Sequence, residues 1–342
     1  TIDANVQSWA TNSQSPTADA DPGTGHLSLV AGDDVHQNAN LLTSGTGGGG
    51  HILVVAANAN PDNNFTVGGS TAADGLVMAA TASTTSQAGA IRLVADGDGD
   101  VVLGLLSTGT TAGAVSVLAE RDILDANATA ANLLTPTARL WADAEIQPDG
   151  DRRFTHNVSA AESTHSQDGA GSIGNAATSG AATDNTNAID TQVATLAAHA
   201  AEGIYVLEAG DVNVSHTGDL ATTQVHFNST TATSSDPSLA DLVTTHDGPV
   251  KLVATDGSIT LGDGHSSALH GADGIGVAAH GSGDVLLDAR GTTSDLTIDA
   301  NVQSWATNSQ SPTADADPGT GHLSLVAGDD VHQNANLLTS GT

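Results

Sequence analysis

A five-residue pattern, apolar-x-apolar-x-Ala, recurs along the chain and restricts what it can fold into. It starts at Leu27 (LSLVA), Ile52 (ILVVA), Leu76 (LVMAA), Ile91 (IRLVA), Val115 (VSVLA), Ala138 (ARLWA), Val250 (VKLVA), Ile275 (IGVAA) and Leu296 (LTIDA). Weaker members start at Ile204 (IYVLE) and Val225 (VHFNS). Successive starts are 25, 24, 15, 24, 23, 66, 21, 25, 25 and 21 residues apart, clustering near 24. Alternation over five residues marks a strand with one buried face. Positions one, three and five then point inward, and the small Ala at the fifth suits a tight corner. Glycines at 75, 203 and 274 stand directly before a strand, and those at 89, 113 and 248 one residue further back. A second short strand, opened by Gly-Asp-apolar, follows at Gly99-Asp100-Val101, Gly210-Asp211-Val212 and Gly283-Asp284-Val285. One coil thus reads strand, corner, short strand, polar loop, return. The few aliphatics of one coil cannot offset the entropy of ordering some two dozen residues, so each coil needs its neighbours. The expected fold is an all-β parallel β-helix of about eleven or more coils of roughly 24 residues per large repeat.

That large repeat is literal. Residues 1–46 and 297–342 are identical, an offset of 296 residues. Surface loops tolerate change, so structure alone would not hold 46 positions invariant, and duplication of a long unit is the simplest account. The reading is one unit over 1–296 and the start of the next over 297–342, in a chain that is a window on a longer tandem array.

Composition fits a narrow column better than a globule. Only seven of 342 residues are aromatic, whereas compact cores rely on large rings. Thirty-nine acidic residues face seven basic ones, for a formal charge of −32. Nucleic acid and anionic membrane surfaces both need Lys and Arg, and Lys251 is the single lysine; neither is an expected partner. No apolar run approaches the roughly 20 residues of a membrane helix. Without cysteine there is no disulfide framework, thiolate metal site or thiol chemistry.

The run Gly89-Ala90-Ile91-Arg92-Leu93-Val94-Ala95, followed by Gly99-Asp100-Val101, resembles the repeats of filamentous-haemagglutinin-like adhesins and related giant bacterial extracellular repeat proteins. The likeness covers most of the chain except 147–203. It implies a right-handed parallel β-helix, secreted to the cell surface and serving as a structural fibre or adhesin stalk. Coil lengths vary more than in that family, and the 296-residue repeat is unusually faithful.

Residues 147–203 read as an insertion, polar from Gln147 to Asn187 and opened by the turn signal Pro148-Asp149-Gly150-Asp151. Within it Ile189, Val193, Leu196 and Ala200 are spaced four, three and four apart, which predicts a short amphipathic helix over 187–202. Asp96, Asp98 and Asp100 in Asp-Gly-Asp-Gly-Asp are candidate metal ligands, with calcium as the cation. The helix-loop-helix calcium pattern fails because its sixth and twelfth positions are Val101 and Ser107. Acidic turns on adjacent coils would stack about 5 Å apart and repel, which calcium or salt would relieve. The 14 histidines show no zinc-protease spacing, and no nucleophile elbow or phosphate loop occurs; no catalytic residue is assigned. Further copies of the repeat are the expected partners, with neighbouring filaments, surfaces or glycans as lateral ones. The competing reading is a carbohydrate-binding or polysaccharide-degrading β-helix, which would need a groove with paired carboxylates and aromatic rings. An ice-binding solenoid would need regular Thr-x-Thr ladders, and the Thr pairs here are irregular.

Overall fold

The computed structural model describes residues 1–8, 23–44, 50–57, 66–67, 70–71, 75–97, 99–144, 170–175, 187–265, 268, 273–305 and 318–340. Among these there is no α-helix, and 27 strands join in one hydrogen-bonded sheet whose pairings are all parallel. The sheet winds as a parallel β-helix with three strand positions per coil.

The first face stacks Leu27, Ile52, Ile91, Val115, Ala138 and Leu196 in register. The second stacks Val35, Leu76, Val101, Ile123 and Ile173. The third stacks Val6, Leu41, Thr84, Leu106 and Leu133. Inward positions pile like on like: Ala56, Ala95 and Ala119 form a column at one corner, and Val54, Leu93 and Val117 one beside it. These aliphatics belong to one continuous buried core running the length of the stack. Hydroxyls share the third face, where they meet carbonyls: Thr43 Oγ1 and Ser86 Oγ both donate to Gly50 O, Ser86 at 2.6 Å. Buried polar groups are tolerated when so paired.

Glycine is required where coils touch backbone to backbone. Gly75 has φ +112°, and a Cβ there would lie 2.6 Å from Asp100 O. A Cβ on Gly257 would lie 2.0 Å from the carbonyl carbon of Gly210 on the next coil.

Three expectations need correction. Leu76 belongs to the second face and not with Ile52 and Ile91, so the odd 15-residue step is a change of face; Leu296 likewise pairs with Ile259 and with Val331, the copy of Val35, and not with the Leu323 ladder. Val225 lies off the column altogether, in an antiparallel hairpin. Coil length is also far from uniform. Ile52 to Ile91, Ala138 to Leu196 and Ile204 to Val250 are each one coil of 39, 58 and 46 residues, against 24 for Ile91 to Val115. Loops carry the variation because only the strands must stay in register.

The helix expected over 187–202 is the strand Ile189–Ala200. Its four-three-four spacing is two inward steps, a corner, and two inward steps, so Ile189, Val193, Leu196, Ala198 and Ala200 all enter the core. The preceding coil does the same in Leu133–Trp141, with Pro136 at the bend and partners offset by 58 residues throughout. Residues 147–203 are therefore not wholly an insertion, since Ser172–Ile173 and Ile189–Ala200 are coil strands. Residues 145–169 and 176–186 lie outside the described residues.

Above Ala200 the coil slips by one face. Gly203–Glu208 begins on the second face, with Gly203 opposite Ser172, and ends on the third, with Thr191 opposite Glu208. Leu242–Thr244 then rests on Ala198–Ala200 of the first face. Ladders continue unbroken in the new phase through Val250, Val285 and Leu323, and through Leu242, Val277, Val302 and Leu337. The first face divides here: Leu196 continues through Val214, Leu261 and Ile298 to Gln333, and Ala198 through Leu242, Val277 and Val302 to Leu337, so neither ladder ends at Leu323, the residue identical to Leu27 in the repeat.

Candidate functional site

Three places gather polar chemistry. The first is the corner before each second-face strand. Gly75 N donates to Asp34 Oδ1 at 2.7 Å, Asp122 N to Asp100 Oδ1 at 3.1 Å, and Ser172 N and Oγ to Asp122 Oδ1 at 2.7 and 2.8 Å. Ser258 N donates to Asp211 Oδ1 at 2.8 Å, and Asp330 N to Asp295 Oδ1 at 3.1 Å. The aspartate before each of these strands, preceded by Gly at Asp100 and Asp211, thus caps a backbone N–H of the following coil. Stacked aspartates here do not face one another bare; an N–H separates them.

Of the three candidate metal ligands, Asp100 is buried in this corner ladder, and Asp96 Oδ1 accepts from Gly97 N at 2.8 Å. Asp98 lies outside the described residues. Among the described residues the one convergent set is Asp295, Asp330 and His332, whose ligand atoms lie within 4.8 Å of one another. Asp330 and His332 repeat Asp34 and His36, and Asp34 Oδ1 caps Gly75 N of the coil above. The set therefore reads as a step of the corner ladder, in which Asp295 caps Asp330 N.

The second place is the outside of the first face. A hairpin of Leu220–Val225 and Thr231–Asp236, joined antiparallel, runs back down this face across several coils. Thr223 N donates to His51 Nδ1 at 2.9 Å and Val225 N to Ser28 Oγ at 2.8 Å. At its base Asp236 is fully buried and takes both oxygens' worth of donors: Arg92 Nε at 2.9 and 3.0 Å, Arg92 Nη2 at 2.7 Å, and Ser116 Oγ at 2.7 Å. Arg139 Nε donates to Pro237 O at 3.1 Å, and its guanidinium stands 5.1 Å from the Trp141 ring. Burial raises the Asp236 carboxyl, but the Arg92 and Arg139 charges and the hydrogen bonds from Arg92 and Ser116 outweigh it, holding the group below the ordinary carboxylate range. Leu53, Val55, Val94, Leu118, Trp141, Ala197 and Leu239 form a second apolar cluster there, separate from the column core. The sequence carried a signal for it: the fourth position of the strand pattern is Val30, Val55, Val94, Leu118 and Trp141, apolar where a solvated face would be polar.

The third place is a small cavity lined by Thr129, Asp190, Thr191, Leu207, Glu208 and Thr255. Burial, and then the charge of Asp125, pushes the Asp190 carboxyl up to about 7. Burial raises Glu208 to about 7 as well. Glu208 stands where other coils have Ala254 and Ala289, at the coil where the ladders slip. Its carboxylate accepts from Thr191 Oγ1 at 2.6 Å, Val193 N at 3.1 Å and Gly210 N at 3.0 Å. An acid replaces alanine here because the change of face exposes backbone donors inside the corner. The sequence marks the position, since IYVLE ends in Glu, but not its reason.

No family model, curated protein or solved structure matches the chain.

Proposed function

We propose that the chain is a length of structural extracellular fibre or adhesin stalk, built of tandem β-solenoid units and non-catalytic, on the surface of a bacterial-type cell. One observation carries the reading. The described strands of the repeated residues are seen in two settings, with the coil above them at one end and the coil below them at the other. Leu27–Ala31 bears Ile52–Ala56, and its copy Leu323–Ala327 rests on Val285–Ala289. The second-face copy of Val35 rests on Leu296 while Val35 itself bears Leu76, and the copy of Leu41 rests on Val302 while Leu41 bears Thr84. Overlaying the two settings joins unit to unit on all three faces with no break in register. Strand edges that would otherwise be sticky are then paired throughout, and further copies of the unit are the principal partners. The acidic surface keeps such columns apart and soluble. Electron microscopy of chains holding several units tests it: slender rods whose length grows in proportion to unit number are expected, and compact particles would overturn it.

A carbohydrate-active β-helix has one observation in its favour, the raised carboxyls of Asp190 and Glu208 beside one cavity. Against it, Glu208 is fully buried and its oxygens are committed to Thr191, Val193 and Gly210, and the cavity has no aromatic ring for a sugar to stack on.

A further inference from the structure

We infer that the hairpin of each unit staples that unit to the one before it, with Phe227 at its tip packing against Leu286 of the preceding copy. The inference rests on the tandem-stalk reading and adds a specific contact across the unit boundary.

Phe227 is 85 % exposed, the most exposed large apolar side chain among the described residues. It stands at the rim of the open end of the column, around a hollow whose other walls include the core-facing Val6, Leu27 and Leu29. The hairpin descends the first face at a regular pace. Thr223 meets His51, one residue before the strand Ile52–Ala56, and Val225 meets Ser28 one coil lower. Two strand residues advance about 6.6 Å and one coil about 4.8 Å, so an oblique strand drops one coil for every two residues. Phe227 follows Val225 in the turn that closes the hairpin, at the open lower rim of the Leu27–Ala31 coil.

The repeat says what that coil is. Ser324, the copy of Ser28, pairs with Leu286. In a tandem array the stretch beneath Ser28 and Val30 is therefore Leu286 to Asp288 of the preceding unit, at the rim where Phe227 stands, and Leu286 is its outward apolar residue. Leu286 is an outward-facing, half-buried leucine on its strand. The occupant is thus a second copy of the same unit, and the partner surfaces are Phe227 on one and Leu286 on the other.

The test uses a chain of two successive units. The sequence has no cysteine, so Leu286→Cys in the first unit and Phe227→Cys in the second are the sole thiols. A short bismaleimide should join them within one molecule, giving a linked peptide pair by mass spectrometry. Ser28→Cys with Val225→Cys in one unit is the positive control for a docked hairpin. Linking of the control without linking of the test pair would overturn the staple. The unsubstituted protein supplies a second readout: hydroxyl-radical oxidation per Phe227 should fall by about half in the two-unit chain relative to the one-unit chain, and an equal yield would overturn the proposal. Electron micrographs of the same sample separate the two ideas. An unbroken rod without the cross-link sinks the staple alone, whereas a rod broken at the junction sinks the stalk reading as well.

Discussion

Replacing Asp236 by alanine should undock the hairpin while leaving the column folded. Arg92 is 1 % exposed, and Asp236 supplies its counter-charge through three short contacts. Removing one partner of such a buried pair costs about 3–5 kcal/mol, because the remaining charge is left without compensation. The column need not bear that cost. Arg92 points outward from its strand, so lifting the hairpin returns the guanidinium to water, and the penalty is capped at the free energy of docking. Native-state hydrogen exchange reads this directly. The Thr223 and Val225 amides, which donate to His51 and Ser28, should exchange roughly 10²- to 10⁴-fold faster, at tenfold per 1.4 kcal/mol. Amides of Leu93 and Val117, held in the parallel ladder, should keep their protection. The double variant Arg92→Leu with Asp236→Leu should restore most of the hairpin's protection, since a well-packed apolar pair often replaces a buried ion pair at little cost. The sign with pH follows from the depressed carboxyl of Asp236. Its contribution is fully present above the unfolded carboxylate value, about 3.9, and is lost as pH falls through the lower folded value. The hairpin should therefore stay docked at pH 5 and release only in strong acid. Unchanged exchange at Thr223 and Val225 in Asp236→Ala, or loss of protection at Leu93 and Val117 together with them, would refute the reasoning.

Several buried carboxyls act in the opposite sense. Burial, with Asp273 and Asp263 nearby, lifts Asp241 to about 9, and burial lifts Asp190 and Glu208 to about 7 and Asp273 to about 6. A raised folded value contributes stability below the unfolded value that is lost as pH rises through the folded one, so melting temperature should fall steadily from pH 5 to pH 9. Asp241→Asn, which tolerates the positive φ of 67° at that position, should flatten the upper part of that curve; an unchanged slope contradicts the assignment. Asp122→Ala leaves Ser172 N without its cap and should cost about 1–3 kcal/mol, measured as a lowered denaturation midpoint; a neutral result contradicts the corner-ladder account. Because the corner carboxylates accept N–H groups, sodium and calcium chloride at equal ionic strength should raise the melting temperature alike by screening the net charge, and a rise at micromolar calcium would instead reveal a specific site.

The column was legible in the sequence because its physics is local and periodic. Ile52, Val54 and Ala56 alternate inward, as do Ile91, Leu93 and Ala95, and inward residues of like size stack. What was not legible depends on which coil meets which. Leu76 has the same local pattern as Ile52, and only pairing to Val35 and Val101 places it on another face. The strand Ile189–Ala200 mimicked helical spacing because a corner between Val193 and Leu196 inserts a step of three between steps of two. The hairpin clasp was hidden by distance: Arg92 and Asp236 lie 144 positions apart, and nothing near either names the other. Its one trace was the apolar fourth position from Val55 to Trp141, a second buried surface written into strands that need only one. The corner aspartates were visible as a motif, but their role as caps for the next coil required the stack itself.

The account stands on an unbroken parallel stack that passes through the unit boundary, with Leu27–Ala31 seated on a copy of Val285–Ala289. Cryo-electron microscopy of a chain carrying several units measures this directly. The account predicts strand density repeating at about 4.8 Å along the axis without interruption at successive boundaries. A gap, a hinge or a separate globule recurring at each boundary would contradict it.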